Sequence, residues 1–485
     1  MRLLAKRIFQ FCLAAVAALL LVLIVNTLRY SPTESVGSAP LPTRETVGSA
    51  AEKLAQSIRF QTVRAVDNPQ PFERFIGWLE AAYPVVHQTL IRQNEGQLSL
   101  LYRWQGSDES LKPILLAAHY DVVPVRPETL DRWTHPPYKG VVADGFVWGR
   151  GTLDNKGAVI AICEAVERLV GAGFQPQRTV YLSFGHDEET GGERGAQATT
   201  ELLKSQGVEP AWSLDEGSFV LDGIIAGLER PVASINVAEK GVLNLRLTVN
   251  SAGGHSSMPP RETAVGVLAA AIDRLQNAPV PGGLTGVTKT FFDSLARHFD
   301  FGRRMLFANQ WLFGPLLSSV LSAEKTTNAV LRTTTAPTML TGSTAPNVLP
   351  TQASAMVNFR LHPRDSIDQV IAFVRDTVAD PRVELSQPTT YDSEASGESS
   401  HRAPGYRAIE ASALASFGRV ITVPGMTIAG TDSRYYTRIA QDAYRFNPFL
   451  IDRSDLARFH GIDERLSLEN LARGITFYKT LLAGQ

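Results

Sequence analysis

The sequence predicts an α/β protein: a main domain built on a central, mostly parallel sheet, a small α+β unit inserted into it, and an N-terminal transmembrane helix. Three observations carry the prediction. Ile114 to Ala118 and Thr179 to Phe184 are short apolar runs, and between them Lys156 to Val170 places Val159, Ile162, Cys163, Val166, Leu169 and Val170 at helical spacing before Gly171. Strand, helix, strand in that order implies parallel strands covered on both faces. From Gly241 the pattern changes. Val242 to Val249 alternates as a half-exposed antiparallel strand does, Thr263 to Leu275 reads as a helix, Met356 to Leu361 as a strand and Ile367 to Val378 as a helix. Third, Arg2, Lys6 and Arg7 precede an apolar stretch from Ile8 to Leu28, broken only by Gln10, Asn26 and Thr27.

A helix over Ile8 to Leu28 spans roughly 31 Å, the thickness of a bilayer core. The basic start puts the N-terminus in the cytoplasm and everything downstream on the extracytoplasmic side of a single-pass anchor. A cleaved signal peptide is the alternative, although its apolar region is usually only about 7–15 residues long. Pro32, Gly37, Pro40 and Pro42 among Ser and Thr then mark a linker. The chain therefore divides into residues 1–30 as the signal anchor, 31–44 as the linker, 45–240 and 391–485 as the two parts of the main domain, and 241–390 as the inserted unit. Within the inserted unit, Leu284 to Lys325 is aromatic and apolar, which reads as a helical lid or packing insert.

With 485 residues the chain exceeds one ordinary core, so two domains are the prior. A formal net charge of -1 argues against a nucleic-acid partner, which demands a basic face. Two cysteines, Cys12 and Cys163, exclude a disulfide framework because the first lies in the apolar N-terminal run.

The chemistry gathers where the apolar runs end. His119 closes the Ile114 run, and Asp121, two residues on, can orient its far ring nitrogen. Gly149, Gly151 and Gly157 surround Asp154, a carboxylate suited to bridging two cations. Gly185-His186-Asp187-Glu188-Glu189 follows a buried strand directly, where repulsion and desolvation call for a cation. Adjacent glutamates also permit a division of labour: one ligates while the other takes a proton from water. Asp215 in Ser213-Leu214-Asp215-Glu216-Gly217 and His460 in Arg458-Phe459-His460-Gly461 complete the set. His119, Asp154, Glu189, Asp215 and His460 give two imidazoles and three carboxylates, a mix that suits two Zn²⁺ ions.

Together with Ala429-Gly430-Thr431-Asp432-Ser433, these segments resemble the di-zinc aminoacylase/carboxypeptidase family. Trp133 to Tyr138, running on to Asp154, is similar to the carboxypeptidase S branch, which also contains the N-fatty-acyl-amino-acid synthase/hydrolases. The resemblance covers the chain from about residue 45 onward. It implies that Asp154 bridges both zincs, with His119 and Asp215 on one and Glu189 and His460 on the other. It makes Glu188 the general base and Asp121 the residue that orients His119. The inserted unit then corresponds to a lid or dimerisation domain, whose His255 in Gly253-Gly254-His255-Ser256-Ser257 stabilises an oxyanion, often in a partner subunit. Asn347 and Arg360 match positions that grip substrate, and Gly430 and Thr431 line its carboxylate end. The insert near 284–335 is longer than in compact relatives. The implied activity is cleavage of an amide bond beside a free carboxylate, with Co²⁺ or Mn²⁺ able to substitute for zinc. Short peptides (carboxypeptidase or dipeptidase action) and N-acyl amino acids both fit, and a homodimer is an implied assembly. A binding protein without catalysis on this scaffold is the remaining alternative, against which the presence of Glu188 with every ligand argues.

Overall fold

Continuous apolar runs become buried strands, and the computed structural model, which describes residues 2–32, 47–94, 96–388 and 392–485, places them at the centre of the main domain. In chain order the elements used below are helix α1 (Arg2–Arg29), strands β1 (Leu100–Trp104) and β2 (Ile114–His119), helix α2 (Lys156–Gly171), and strands β3 (Val180–Gly185), β4 (Trp212–Asp215), β5 (Val232–Glu239) and β6 (Gly241–Asn250). Then come α3 (Ala264–Asn277), α4 (Gly286–Ala296), α5 (Phe301–Ala308), α6 (Gln310–Ala323) and α7 (Lys325–Leu331). Strands β7 (Thr334–Thr341) and β8 (Gln352–Leu361) lead to α8 (Ile367–Val378) and β9 (Val383–Ser386). Strands β10 (Ile421–Thr427) and β11 (Asp442–Arg445) and helix α9 (Leu468–Ala483) complete the chain. Most of the linker expected at 31–44 lies outside the described residues.

The main sheet runs Ile91–Arg92, β1, β3, β2, β4, β11, β5, with β10 also on β5 and two short strands beyond. Strands β3, β2, β4 and β11 are mutually parallel, as are β5 and β10. However, β1 lies antiparallel to β3, and β11 meets β5 antiparallel through Arg445 and Asn236. The sheet is therefore mixed, with parallel pairing prevailing and antiparallel partners interspersed. Pairing direction at its edges is set by long-range connections that apolar runs do not reveal. Helices α2 and α9 pack together over the sheet, burying Val159, Ile162 and Val166 beside Ile475 and Leu482.

The chain leaves this sheet at Glu239 and enters the second at Gly241. That second sheet, β7-β8-β6-β9, is antiparallel throughout. Alternation in β6 (Leu243, Leu245, Leu247, Val249) and β8 (Ala353, Ala355, Val357, Phe359) builds one buried face, covered by α3 and α8. Each covering helix starts with a side-chain cap: Thr263 accepts from the Gly266 N–H, and Ser366 forms a capping box with Gln369. The aromatic insert forms α4 to α7 around Phe292, Phe307, Leu317 and Leu331.

Candidate metal centre

Five segments from both parts of the main domain converge beyond the carboxyl ends of β2, β3 and β4, where ligands of α/β sheets gather. His119 is 1% exposed. Its Nε2 lies 3.0 Å from Asp154 Oδ1, 3.2 Å from Glu216 Oε1 and 4.0 Å from Glu188 Oε2. The other oxygen of Asp154 lies 3.1 Å from His460 Nε2, which is 3.4 Å from Glu189 Oε2. Asp154 thus offers one oxygen to each imidazole, the geometry a bridging carboxylate needs. His119, Asp154 and Glu216 form one compact ligand group, and Asp154, Glu189 and His460 another.

Each side chain is held from behind. The Asp121 carboxylate sits 3.3 Å from His119 Nδ1 and also accepts the backbone N–H groups of Glu188 and Glu189 at 3.2 and 3.0 Å. One carboxylate therefore orients the imidazole and fixes the turn carrying both glutamates. That turn closes through Gly191 and Gly192, whose φ values of +111° and +67° favour glycine. A Cβ at Gly192 would also run into the Asp432 carboxylate. The Asp154 loop wraps Glu464, whose Oε1 accepts the N–H groups of Gly151, Leu153 and Asp154 while Arg150 pairs with Oε2. His460 takes a left-handed φ of +56°, a strained conformation of the kind found at ligand clamps.

The electrostatics ask for cations. Burial pushes the carboxyls of Glu188, Glu189 and Asp432 upward, Asp215 to about 6 and Glu216 to about 7. Burial opposes charge on His119 as well, yet Glu216, Asp121 and Asp154 together lift its pKa well above the usual imidazole range. Hydrogen bonds to Asp154 and Glu189 raise His460 to about 10. Buried Glu189 Oε1, Asp215 Oδ2 and Asp432 Oδ1 have no hydrogen-bond partner among the described residues. Carboxylates crowded this way without partners are costly unless a cation neutralises them. A donor set of imidazole nitrogens and carboxylate oxygens around one shared Asp suits a pair of zinc-type ions.

One expected residue is displaced. Asp215 ends β4 and turns its Oδ1 back to the Glu216 N–H at 2.9 Å, so it belongs to neither ligand group. Its neighbour Glu216 approaches His119 and is steadied by Asn155 Nδ2, 2.7 Å from Oε2. Successive residues leaving a strand point to opposite sides, and the longer glutamate reaches the centre. Thr431 is displaced too: its N–H and hydroxyl both donate to buried Glu239, at 2.9 and 2.6 Å, and are not free for a substrate. Gly430 is half-buried, and the nearest guanidinium nitrogens of Arg360 and Arg434 stand equally far, 3.9 Å, from where its Cβ would be. Arg360 comes from β8 of the inserted unit. Arg434, which the sequence reading overlooked, comes from the main domain, where it donates to Gly191 O and stacks on Tyr435. Asn347 and His255 lie together on an exposed ribbon, with Gly254 and His255 paired to Leu349 and Val348. The His255 ring bonds Ser257 Oγ at 2.8 Å and has no contact with the metal-ligand groups among the described residues.

The comparisons agree with this geometry. Residues 115–484 match the model of "Peptidase family M20/M25/M40". The chain is 40% identical over 478 residues to probable carboxypeptidase S-like 2 of Dictyostelium discoideum, covering 96% of this chain and 91% of that one. It is also 40% identical over 437 residues to N-fatty-acyl-amino acid synthase/hydrolase PM20D1 of Xenopus tropicalis, covering 89% and 85%. The crystal structure of the M20 family metallo-carboxypeptidase Sso-CP2 from Sulfolobus solfataricus shares the fold, with a TM-score of 0.64 at 17% identity over 90% of this chain and 98% of that one. With such a match over most of its length and the ligand groups in place, the chain belongs to the M20/M25/M40 peptidase family and is a metal-dependent hydrolase.

Proposed function

We propose that the enzyme cleaves an amide bond next to a free carboxylate, acting as a carboxypeptidase or dipeptidase on short peptides. The observation that carries this reading is the pair Arg360 and Arg434, which face Gly430 from two domains. Among the described residues Arg360 makes no ion pair, and burial lowers its pKa, with Arg434 nearby adding to the effect against Glu239. Two guanidiniums that approach Gly430, neither in an ion pair among the described residues, match a substrate carboxylate.

In this reading His119, Asp154 and Glu216 would hold one zinc, and Asp154, Glu189 and His460 the other, with Glu216 in place of Asp215. When bound, the two ions supply Lewis acidity to a carbonyl and a water. Glu188, buried beside His119, takes a proton from that water as its oxygen forms the bond to the amide carbon. As the carbon–nitrogen bond breaks, Glu188 returns the proton to the leaving amine. Arg360 and Arg434 hold the carboxylate so that the scissile carbonyl faces Glu188. His255 and Asn347, neither of which belongs to a ligand group of its own chain, serve the site of a second subunit, which favours a homodimer. Helix α1 anchors the enzyme in a membrane with the body on the extracytoplasmic side; its length and apolar composition support this. Residues 241–390 act as the lid and dimerisation unit.

The name of the Xenopus relative favours a second reading, hydrolysis of N-acyl amino acids, with the same atoms in the same roles. Assays of the purified, zinc-loaded enzyme on matched dipeptides, N-acyl amino acids and their C-terminal amides test both. Either free acid turned over far faster than its amide supports carboxylate recognition. Equal rates on acid and amide overturn it.

A further inference from the structure

Helix α6 (QWLFGPLLSSVLSA) contains no charged residue, and its inner face (Leu317, with Leu321) packs on the core of the insert. Its outer face carries Trp311, Leu312, Leu316 and Val320, which are 63%, 41%, 53% and 60% exposed. With Pro315, Ser319 and Ala323 they follow i, i+1, i+4, i+5, i+8, i+9, i+12, so the exposed residues form one continuous stripe. A helix apolar on both faces and uncovered on one needs an occupant for that face.

Contacts with α1 say what the occupant is. Residues 2–22 of α1 are exposed, and Leu23 is the first buried residue of the helix. Buried Asn309, at the corner between α5 and α6, donates to the Leu23 carbonyl at 3.2 Å and accepts from Asn26 Nδ2 at 2.9 Å. Further along, the Tyr30 hydroxyl donates to the Asp293 carbonyl at 2.9 Å, and Arg297 lies over the Tyr30 ring. The insert thus runs beside the last turns of α1, and its α5–α6 corner is the part nearest the exposed stretch. If the apolar run to Leu28 fills the bilayer core, Leu23 lies roughly 8 Å inside its outer face. Asn309 is tied to that depth, and Trp311 and Leu312 follow it at once. An interfacial helix buries its apolar face about 5–10 Å, and tryptophan favours that level.

We infer that α6 lies in the surface of the same leaflet that α1 crosses, a second, monotopic membrane contact that fixes how the body stands on the bilayer. This rests on reading α1 as a membrane span. The test uses the full chain in phosphatidylcholine/phosphatidylglycerol vesicles. A Leu316→Cys change in a Cys12→Ser background is labelled with an environment-sensitive fluorophore, Cys163 being buried. The label is expected to emit at blue-shifted wavelengths and to lose most of its fluorescence to nitroxide-bearing lipids. A label at Glu109→Cys, on an exposed loop, should do neither. Water-like, unquenched emission at position 316 overturns the inference. So does blue-shifted emission that lipid nitroxides leave untouched, since a second protein copy would then cover the face. Labelling native Cys12 in the otherwise unchanged chain tests α1 separately, so failure of the anchor and failure of α6 are told apart.

Discussion

Replacing Asp215 and Glu216 one at a time decides which acid holds metal. Among the described residues the Asp215 carboxylate makes one hydrogen bond, its Oδ1 accepting the Glu216 N–H at 2.9 Å. Asp215→Asn keeps the size and an acceptor oxygen, so the expected loss is at most about 1.5–3 kcal/mol for a charged hydrogen bond, felt as stability. Glu216 brings Oε1 within 3.2 Å of His119 Nε2 and lies in the same ligand group as Asp154. Removing a partner that merely supports a ligand costs roughly 10–100-fold in metal affinity. Loss of a ligand oxygen must exceed that, more than about 3 kcal/mol on the site of His119. Glu216→Gln should therefore retain one metal per chain after chelator competition and gel filtration, and Asp215→Asn both, read by elemental analysis beside thermal melting. Two retained metals in Glu216→Gln with one lost in Asp215→Asn would refute the assignment. Retention of both metals by both variants would refute it equally.

Glu188→Gln should keep both metals yet lose roughly a thousandfold in turnover, the scale of general-base loss; a variant with most of its activity left removes Glu188 from the mechanism. His255→Ala is expected to lower turnover by about two orders of magnitude, the loss of one oxyanion donor. Mixing it with Glu188→Gln chains should restore activity, since a mixed dimer has one complete site, and mixed dimers that form but stay dead contradict the shared-site reading. Arg434→Met should raise KM for free-carboxylate substrates by about 10–100-fold, in line with a charge-assisted hydrogen bond, with little change for the matching amide; an equal effect on both points to a structural role. Removing residues 1–22 should leave hydrolysis of a water-soluble substrate unchanged. Removing 1–30 should lower thermal stability, because Asn26 and Tyr30 bond to Asn309 and Asp293; equal melting of the two truncations speaks against that contact.

How much was legible follows from which signals are local. His119 and the Glu188-Glu189 pair stood out because each ends a buried strand, where ionisable groups need a reason. Asp154 stood out because glycines crowd it. Arg434 was hidden two residues past Asp432, since its partner across the cleft, Arg360, comes from another domain and only the fold brings them together. Glu216 was passed over for a different reason: an acidic pair at a strand end gives two candidates one residue apart, and composition does not say which turns inward. The alternating β6 was read at close to its observed limits and β8 only from Met356 onward, four residues after its start at Gln352, whereas the direction of β1 and β11 depends on pairings far along the chain.

Helix α1 shows how a local signal can be present and still be misjudged. Asn26 and Thr27 read as mere interruptions of an apolar run. On a helix they share one face with Leu23 and Tyr30, at i−3, i, i+1 and i+4 around Asn26. That face is the one that meets the insert: Leu23 and Thr27 are buried, Asn26 bonds Asn309, and Tyr30 bonds Asp293. A helix that only spanned lipid would gain nothing from aligning its polar residues. Aligned near one end, they mark where the exposed apolar helix becomes packed against the rest of the protein, and Gln10, alone at the other end, has no such company.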